Sequence, residues 1–534
     1  MTSTFVDREA ELAFLRRTWE SRGPQLVVLY GRRRTGKTAL IRQFARQPGA
    51  QSEARPGARR RAGAMRHGLP LVHYIAARLP EAQQLAELGQ AVGAALGDVI
   101  LAESGFREWR QLLDLLATGR FALALDEFPY LVESNPGVST LVQRAWDTSL
   151  AGSNGWLLLC GSSVAMMERE TLDAASPLFG RRTGQLRLEA FGFEAARHFL
   201  GGYSFDDAIR AFAILGGIPH YLQLVDPGRP LADNVRSLAL DVGAPLADEV
   251  EFLLREELVE VRVYYGVLAA IAAGKQKFGE IVNATHLAPN VITKYLAVLQ
   301  ALGLVRREVP ASEHAPEKSK RGLYRICDPL VRFSFRHLLP LRALLQSGRT
   351  DEALAVVMAD VDTMASWAYE EVCRELVASG RLPFEERREA AGRGRGEASH
   401  RRPGVGSRAR PGQAPDRDPG QIVDREPRPN EIQRTGRWWT RTDAIDVVAF
   451  GARRILAGEV KWSRRPVGED VLRGLEEKVA RAGWTDRATF ALFSRSGFTP
   501  AVRAAAAARP DLLLVHRLEI VPGAETVSGA VPKP

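Results

Sequence analysis

One eight-residue motif constrains this chain more than any other feature of its sequence. It follows the apolar run LVVLY at 26–30 and fits the pattern G-x-x-x-x-G-K-[ST]. The apolar run is typical of a buried strand, and the residues after the motif, ALIRQF at 39–44, have helical spacing. The motif consists of Gly31, Arg32, Arg33, Arg34, Thr35, Gly36, Lys37 and Thr38.

A loop of this kind can close backbone N–H groups around phosphates at a helix N-terminus. The Lys37 ammonium can reach the β- and γ-phosphates, and the Thr38 hydroxyl can ligate Mg²⁺. The motif therefore predicts an α/β domain that binds a nucleoside triphosphate together with Mg²⁺.

Two carboxylates follow a second buried-strand pattern, FALAL at 121–125. Asp126 and Glu127 would lie at the carboxyl end of a strand, the edge at which α/β sheets bind ligands. Asp126 can hold the Mg²⁺ shell, and Glu127 can polarise the attacking water. The alternative is a capped strand end with solvated acids, and the phosphate loop in the same chain favours the catalytic interpretation.

A third apolar run, WLLLC at 156–160, ends at Gly161 and two serines. The Ser162 hydroxyl could sense the γ-phosphate or position water. A serine after a strand also commonly caps a helix, so both roles stay open.

The composition is that of a multidomain protein inside the cell. The chain has 534 residues and is 45% hydrophobic, which suits about three domains. Its 3 cysteines lack metal-binding spacing, and no apolar run approaches the roughly 20 residues that span a bilayer. The start does not resemble a secretory signal, and we expect a cytoplasmic protein without a membrane contact. The net charge of +10 favours an anionic partner.

Two segments rich in Arg, Gly, Pro and Ala, at 47–68 and 385–434, lack helical or strand periodicity. They predict disordered insertions, and the alternative is a basic tether for nucleic acid.

Residues 261–330 have the pattern of a winged helix. Three short helices are expected at 264–272, 278–284 and 290–302, followed by a hairpin of two strands. The exposed side of the third helix carries Thr293 and Lys294, and the hairpin tip carries Lys318, Lys320 and Arg321. This pattern is compatible with DNA binding, and equally with a module that packs against protein.

Two strand patterns near the C-terminus carry charged residues. Asp446 begins one strand, and Glu459 and Lys461, two positions apart, face the same side of the next. Such a set can hold one or two Mg²⁺ ions against a phosphodiester, with Asp446 and Glu459 as metal ligands. Glu370 could add a carboxylate from a helix. Alternation along any half-exposed strand also produces a Glu-x-Lys pair.

In order along the chain, these patterns resemble the archaeal-type AAA/STAND-like P-loop ATPases, including their DUF234 C-terminal region. The resemblance covers nearly the whole chain outside the two insertions. It is carried by FVDREAEL at 5–12, the phosphate loop, DEFPYL at 126–131, GSS at 161–163, LGGIP at 215–219 and YRICDP at 324–329.

The resemblance implies an α/β P-loop NTPase domain, an α-helical and winged-helix domain, and a C-terminal α/β domain similar to restriction endonucleases and other PD-(D/E)xK nucleases. It implies ATP as the nucleotide and places Arg8 in a motif on the nucleotide side. It also places Arg181 or Arg182 where an arginine could stabilise transition-state charge, in cis or from a neighbouring subunit of a homo-oligomer. A solvated turn is the alternative for this pair.

The chain departs from the family at Ala444, where a further acid is usual; Asp443 would point to the opposite side. This departure favours a preserved nuclease-like fold over preserved cleavage. The expected domains are an ATPase domain at 1–200, a helical region at 201–260, a winged helix at 261–330 and a nuclease-like domain at 331–384 and 435–520.

Together these features predict a Mg²⁺-dependent ATPase coupled to a winged-helix and nuclease-like C-terminal half that acts on DNA. The rival hypothesis is an ATP-dependent switch that cleaves nothing and binds a protein partner.

Overall fold

A computed structural model of the chain describes residues 5–46, 66, 68–258, 260–382 and 432–522. They form two compact units. The N-terminal unit comprises Met1–Val309 and Lys318–Ala368, and the C-terminal unit comprises Pro310–Glu317 and Tyr369–Pro534. Most of the insertions predicted at 47–68 and 385–434 lies outside the described residues. None of the helices in the described ranges has the length and apolarity needed to cross a bilayer.

The N-terminal unit is built on a five-stranded parallel sheet with the strand order β2-β3-β4-β1-β5. The three central strands are buried along their whole length, as their continuous apolar runs predict. The strands are β1 (Gln25–Tyr30), β2 (Leu71–Ile75), β3 (Ala122–Asp126), β4 (Trp156–Gly161) and β5 (Gly184–Arg187).

An aromatic cluster of Trp19, Phe44 and Trp156 joins this sheet to the first two helices, with ring centroids 5.4 to 6.0 Å apart. Arg66 is buried nearby. The helices of this domain are α1 (Glu9–Glu20), α2 (Lys37–Ala45), α3 (Glu81–Leu96), α4 (Val99–Ser104), α5 (Trp109–Ala117), α6 (Phe128–Ser134), α7 (Val138–Ala145) and α8 (Val164–Met167).

The Arg66 guanidinium donates hydrogen bonds to the backbone carbonyls of Trp19 at 2.9 Å, Ser21 at 2.6 Å and Asn154 at 3.1 Å. A buried guanidinium needs such partners because an unsatisfied charge is costly. The first insertion was predicted to extend to residue 68, and this boundary is too late, since Arg66 is already anchored.

A helical region follows the sheet. Gly216 ends α10 with a φ of +69°, and Gly217 packs so closely that a Cβ there would lie 1.8 Å from the carbonyl oxygen of Phe191. Pro219 then begins the next helix. The helices are α9 (Phe193–Ala196), α10 (Phe205–Leu215), α11 (Pro219–Leu222), α12 (Leu231–Val235) and α13 (Glu249–Glu257).

Three helices and an antiparallel hairpin come next, in the predicted order. The rings of Tyr264 and Tyr295 meet edge to face with centroids 4.5 Å apart, so the first and third helices share a core. These elements and the helices after them are α14 (Val261–Ala272), α15 (Phe278–Thr285), α16 (Pro289–Ala301), β6 (Val305–Glu308), β7 (Leu323–Ile326), α17 (Pro329–Phe333), α18 (Arg342–Gln346) and α19 (Thr350–Ala378), whose residues from Tyr369 onward belong to the C-terminal unit.

The C-terminal unit contains a six-stranded mixed sheet with the order β13-β12-β11-β10-β9-β8. The first three strands along the chain pair antiparallel, whereas β10, β11 and β12 are parallel. Its elements are β8 (Arg434–Trp439), β9 (Ala444–Phe450), β10 (Ile455–Lys461), α20 (Glu469–Arg481), β11 (Ala488–Ser494), α21 (Pro500–Ala508), β12 (Leu512–His516) and β13 (Glu519–Val521).

Candidate active site

The predicted phosphate loop connects β1 to α2 at the carboxyl edge of the parallel sheet. Two glycines make its course possible. Gly31 has a φ of +151° and passes so close to β5 that a Cβ would lie 2.4 Å from the carbonyl oxygen of Leu188, and Gly36 has a φ of +96°. The loop therefore delivers the first backbone N–H groups of α2 to the edge where a phosphate would bind.

Lys37 is buried within this loop. Its ammonium donates hydrogen bonds to the carbonyl oxygens of Gly31 at 2.8 Å and Arg32 at 2.9 Å. Burial lowers the pKa of Lys37 below its ordinary value. The predicted phosphate-binding cation is thus in place at the mouth of the loop.

Thr38 and Asp126 lie together, with the threonine hydroxyl donating to the carboxylate at 2.7 Å. His73, on the neighbouring β2, places its Nε2 3.2 Å from the same oxygen. Burial raises the pKa of Asp126, but hydrogen bonds from His73, Cys160 and Thr38 outweigh burial and hold it below its usual value. The site thus pairs an ionised carboxylate with a hydroxyl, a donor set that fits Mg²⁺.

Glu127 begins α6 in the left-handed conformation, with a φ of 55°. This backbone turn directs its carboxylate toward the end of β4, where the Ser162 hydroxyl donates to it at 2.7 Å and the Ser162 amide at 3.3 Å. The neighbouring Ser163 caps α8 through the amide of Met166. The structure therefore separates the two roles that the sequence left open, assigning the helix cap to Ser163 and bringing Ser162 to Glu127.

Arg8 joins the phosphate loop to the segment that follows β5. Its guanidinium donates to the carbonyl oxygens of Glu189 at 2.7 Å and Thr35 at 3.4 Å and stacks over the Phe191 ring at 4.3 Å. This agrees with the nucleotide-side position that the family resemblance implied.

Arg182 is not brought to the phosphate loop. It precedes Thr183, whose amide bonds to the carbonyl of Leu26 near the start of β1, at the amino edge of the sheet. Its guanidinium donates to the carbonyl of Thr171 at 3.0 Å, and Arg181 pairs with Asp147. Among the described residues, neither arginine contacts the phosphate loop, so a role from a neighbouring subunit and a solvated turn are the two alternatives that remain.

The three arginines of the loop each pair with a carboxylate from the helical part of the same unit, which the sequence analysis did not anticipate. Arg33 pairs with Glu256, and Arg34 pairs with Glu249. Arg32 pairs with Asp328, whose other oxygen caps α17 by accepting from the amide of Val331 at 2.7 Å. Three consecutive arginines in one loop were the available signal, since cations this close together need counter-charges.

The C-terminal unit brings the charged residues of its two strands together. Both oxygens of Glu459 are occupied, by Lys461 at 2.8 Å and by Lys478 of α20 at 2.9 Å. Asp446 accepts from the amide of Val460 at 3.0 Å. Burial, followed by the charge of Glu459, raises the pKa of Asp446. This arrangement balances two carboxylates against two ammonium groups.

Two further acids do not complete a metal site there. Glu370 lies 3.6 Å from Arg374 and 3.9 Å from Arg437, and Asp443 forms an ion pair with Arg481 at 2.8 Å. Within the described ranges, no three His, Cys, Asp or Glu side chains are arranged to hold a metal ion. As arranged, the cluster does not fit the predicted Mg²⁺ at Asp446 and Glu459.

The residues expected to face DNA are exposed. Thr293 and Lys294 lie on the outer side of α16, and Lys318, Lys320 and Arg321 lie between β6 and β7. All of them belong to the N-terminal unit.

Comparison with known proteins matches two parts of the chain to described families. Residues 5–225 match an ATPase domain found predominantly in Archaea, and residues 421–478 match DUF234, a group of archaeal and bacterial proteins of unknown function. The first match contains the phosphate loop, Asp126, Glu127 and Ser162.

Individual relatives extend over more of the chain. An uncharacterized protein of Methanocaldococcus jannaschii, MJECL04, is 27% identical over 464 residues, covering 86% of this chain and 87% of its own length. Among solved structures, the Walker-type ATPase PABY2304 of Pyrococcus abyssi is 21% identical, covering 62% of this chain and 96% of its own, with a TM-score of 0.43. The ORC2 protein of Aeropyrum pernix, in its ADPNP–ADP complexes, is 13% identical, covering 67% and 98%, with a TM-score of 0.39.

The residues predicted for the site all lie within the matched ATPase domain: the loop lysine, the hydroxyl and carboxylate pair, and the acid that accepts from a serine. The chain therefore contains an ATPase domain of a type found predominantly in Archaea, at residues 5–225, and a match to DUF234 at residues 421–478.

Proposed function

We propose that this ATPase uses Mg²⁺-dependent ATP turnover to change how its three-helix and hairpin module binds DNA. The observation that carries the proposal is the ion pair between Arg32 and Asp328, because it joins the phosphate loop to the second residue after β7. A change at the phosphates can thus reach the hairpin through one side-chain contact.

Different residues of the site have different roles in hydrolysis. Lys37 and the amides of the loop bind the β- and γ-phosphates, and Thr38 with Asp126 would hold Mg²⁺. When bound, Mg²⁺ neutralises charge on the phosphate oxygens. Glu127 accepts a proton from the attacking water, and Ser162 orients the Glu127 carboxylate.

The module at 261–326 has the order of elements that a winged helix has. Its third helix, α16, exposes Thr293 and Lys294, and its hairpin exposes Lys318, Lys320 and Arg321. Cations on a helix and an adjacent hairpin can meet phosphates on both sides of a DNA groove. The chain's net charge of +10 is consistent with an anionic partner such as DNA.

The test is the ATPase rate of the full chain with and without duplex DNA. We expect DNA to stimulate turnover, and we expect the stimulation to fall as salt rises, since phosphate contacts release counterions. Turnover that is identical with and without DNA at low salt would contradict the proposal and favour the rival role, a switch that binds a protein partner.

For the C-terminal unit we infer a nuclease-like fold that does not cleave. The end of α19 is followed by three antiparallel strands, a helix and a parallel strand, an order that agrees with the implied fold. Against cleavage, each oxygen of Glu459 already accepts from a lysine, Lys461 or Lys478, and Ala444 stands where the family usually has an acid.

Incubation of the full chain with single-stranded and duplex DNA and with Mg²⁺ or Mn²⁺ tests this inference. We expect no cleavage, with or without ATP. Cleavage that disappears in Asp446→Ala and persists in Asp443→Ala would show an active nuclease and overturn it.

A further inference from the structure

Two of the three arginines of the phosphate loop, Arg33 and Arg34, pair with acids on one helix, α13. We propose that Glu249, Glu256 and Glu257, here called the acidic clasp, compete with the phosphates of ATP for this loop, so that nucleotide binding releases α13. The proposal rests on the ATPase assignment of the domain and not on DNA binding.

Two members of the clasp pair directly with the loop. Glu256 pairs with Arg33 and Glu249 with Arg34. Glu249 is buried and also accepts from the Tyr221 hydroxyl at 2.7 Å, so it is held in place from two sides. The exposed pair of Arg33 with Glu256 is more strongly screened and contributes less.

The third member lies on the catalytic side. Glu257 accepts from the Ser163 hydroxyl at 3.4 Å, next to the serine that holds Glu127. It is also close enough to Lys37 and Arg32 for their positive charges to act on it. The clasp therefore extends from the middle of the loop to the lysine that binds phosphate.

Carboxylates and phosphates carry the same sign of charge, and both are drawn to the same loop cations. In a partly buried setting, like charges at short range repel by several times more than they would in water. A bound triphosphate must therefore either share the loop cations with the clasp or displace it. Displacement is favoured because a triphosphate also satisfies the backbone amides of the loop, which a side-chain carboxylate on α13 cannot reach in the same way.

The loop has further capacity for an anion. Arg32 is tied to Asp328 through Nη1, while its Nε and Nη2 atoms are buried and find no hydrogen-bond partner among the described residues. Buried donors without a partner are costly, and an incoming phosphate oxygen would satisfy them. The loop is thus built to gain contacts when the clasp is exchanged for phosphate.

Isothermal titration calorimetry with Mg·ATP and the full chain tests the proposal. At pH 8, where Glu257 is largely ionised, we expect the double variant Glu256→Gln, Glu257→Gln to bind ATP about tenfold more tightly than the wild type, because two competing charges are removed. The gain should be smaller for ADP, which carries less charge. Glu251→Gln is the matched control, since Glu251 lies on the same helix and pairs with Arg255 instead of the loop. We expect its affinity to equal that of the wild type.

Unchanged or weaker ATP binding in the double variant would overturn the proposal. If the double variant does not melt cooperatively, Glu256→Gln alone decides, because this residue is exposed and its replacement leaves the packing intact; about twofold tighter binding is expected.

Hydrogen exchange gives an independent readout. In the wild type, we expect the amides of 249–257 to exchange faster with the non-hydrolysable analogue ADPNP and Mg²⁺ than without nucleotide. We expect the amides of α10 to stay protected in both conditions. Slower or equal exchange in α13 would contradict release. DNA is absent from both experiments, so their results do not depend on whether the protein binds DNA. Titration of the wild type with Mg·ATP tests nucleotide binding by itself.

Discussion

At the scale of single residues, the proposed mechanism assigns nucleotide binding and water activation to different side chains. Lys37 and Asp126 are buried, whereas Glu127 has a left-handed backbone and its carboxylate accepts from Ser162. Substitutions at these positions should therefore have different kinetic signatures.

We expect Lys37→Ala and Asp126→Ala to abolish ATP binding or turnover, and Glu127→Gln to bind ATP normally while turnover falls by about 10²- to 10⁴-fold. Parallel titration calorimetry and phosphate-release assays measure the two effects. Wild-type turnover by Glu127→Gln would disprove its role.

His73 offers a finer test of how Asp126 is positioned. Its Nε2 lies 3.2 Å from Asp126, and loss of a hydrogen-bond partner behind a metal-binding carboxylate commonly changes metal affinity by about 10- to 100-fold. We expect His73→Phe to raise the Mg²⁺ concentration needed for half-maximal turnover by about tenfold, while His73→Gln, which can still donate, recovers most of the loss. An equal loss in both variants would indicate a packing role instead.

Glu257 makes stability depend on pH in a defined direction. Its pKa is raised to about 7: burial is the largest cause and the charge of Glu256 adds to it, while Ser163, Lys37 and Arg32 oppose the shift. A carboxyl with a raised pKa binds more protons in the folded state than in the unfolded state. Its contribution is therefore present in full below the unfolded value near 4.5 and is lost as pH rises through about 7.

We expect the free energy of unfolding of the wild type, relative to Glu257→Gln, to fall by at most about 3 kcal/mol between pH 4.5 and 7. Urea denaturation of both proteins across this range measures the difference. A difference that stays constant with pH would show that Glu257 is ionised throughout.

At the scale of elements, strand and helix patterns could be predicted from the sequence because each is local. The phosphate loop, the strand before Asp126 and the helices 264–272, 278–284 and 290–302 all correspond to observed elements. The pairs of Arg33 with Glu256 and Arg34 with Glu249 could not be predicted, since they join residues more than 200 positions apart. The saturation of Glu459 by Lys478 likewise depends on where α20 packs.

The exposed cations of α16 and the hairpin yield a prediction at this scale. If Lys294, Lys318 and Lys320 contact phosphates, replacing all three by Ala should weaken DNA binding for every sequence tested and reduce the slope of affinity against salt by about 3. Fluorescence anisotropy over a salt series measures both. Lys275→Ala, outside α16 and the hairpin, is the control, and unchanged binding in the triple variant would favour a protein partner.

At the scale of the whole molecule, the ATPase assignment rests on a domain that forms less than half of the chain, residues 5–225. The nuclease-like domain was predicted from residue 331 onward, whereas the C-terminal unit includes α19 only from Tyr369. This point lies inside a continuous helix, so no break in the sequence pattern marks it.

The segment 389–424 is outside the described residues, and its composition supports a prediction about the full chain. It is poor in apolar residues, and closing a loop of different length changes the entropy little. We expect deletion of 389–424 to shift the melting temperature by less than about 3 °C and to leave ATP turnover unchanged. Scanning calorimetry checks this, and a large drop would show that the segment contributes to packing.

The buried Arg66 has a consequence for how this protein can vary. Its guanidinium fixes the point at which the polypeptide rejoins the sheet, through carbonyl groups in the segments that precede β1 and β4. Because Arg66 anchors the chain at this point, we expect a change of length between α2 and Arg66 to cost only about 0.6 kcal/mol per doubling. A fluorescent tag or a small domain inserted there should leave ATP turnover unchanged.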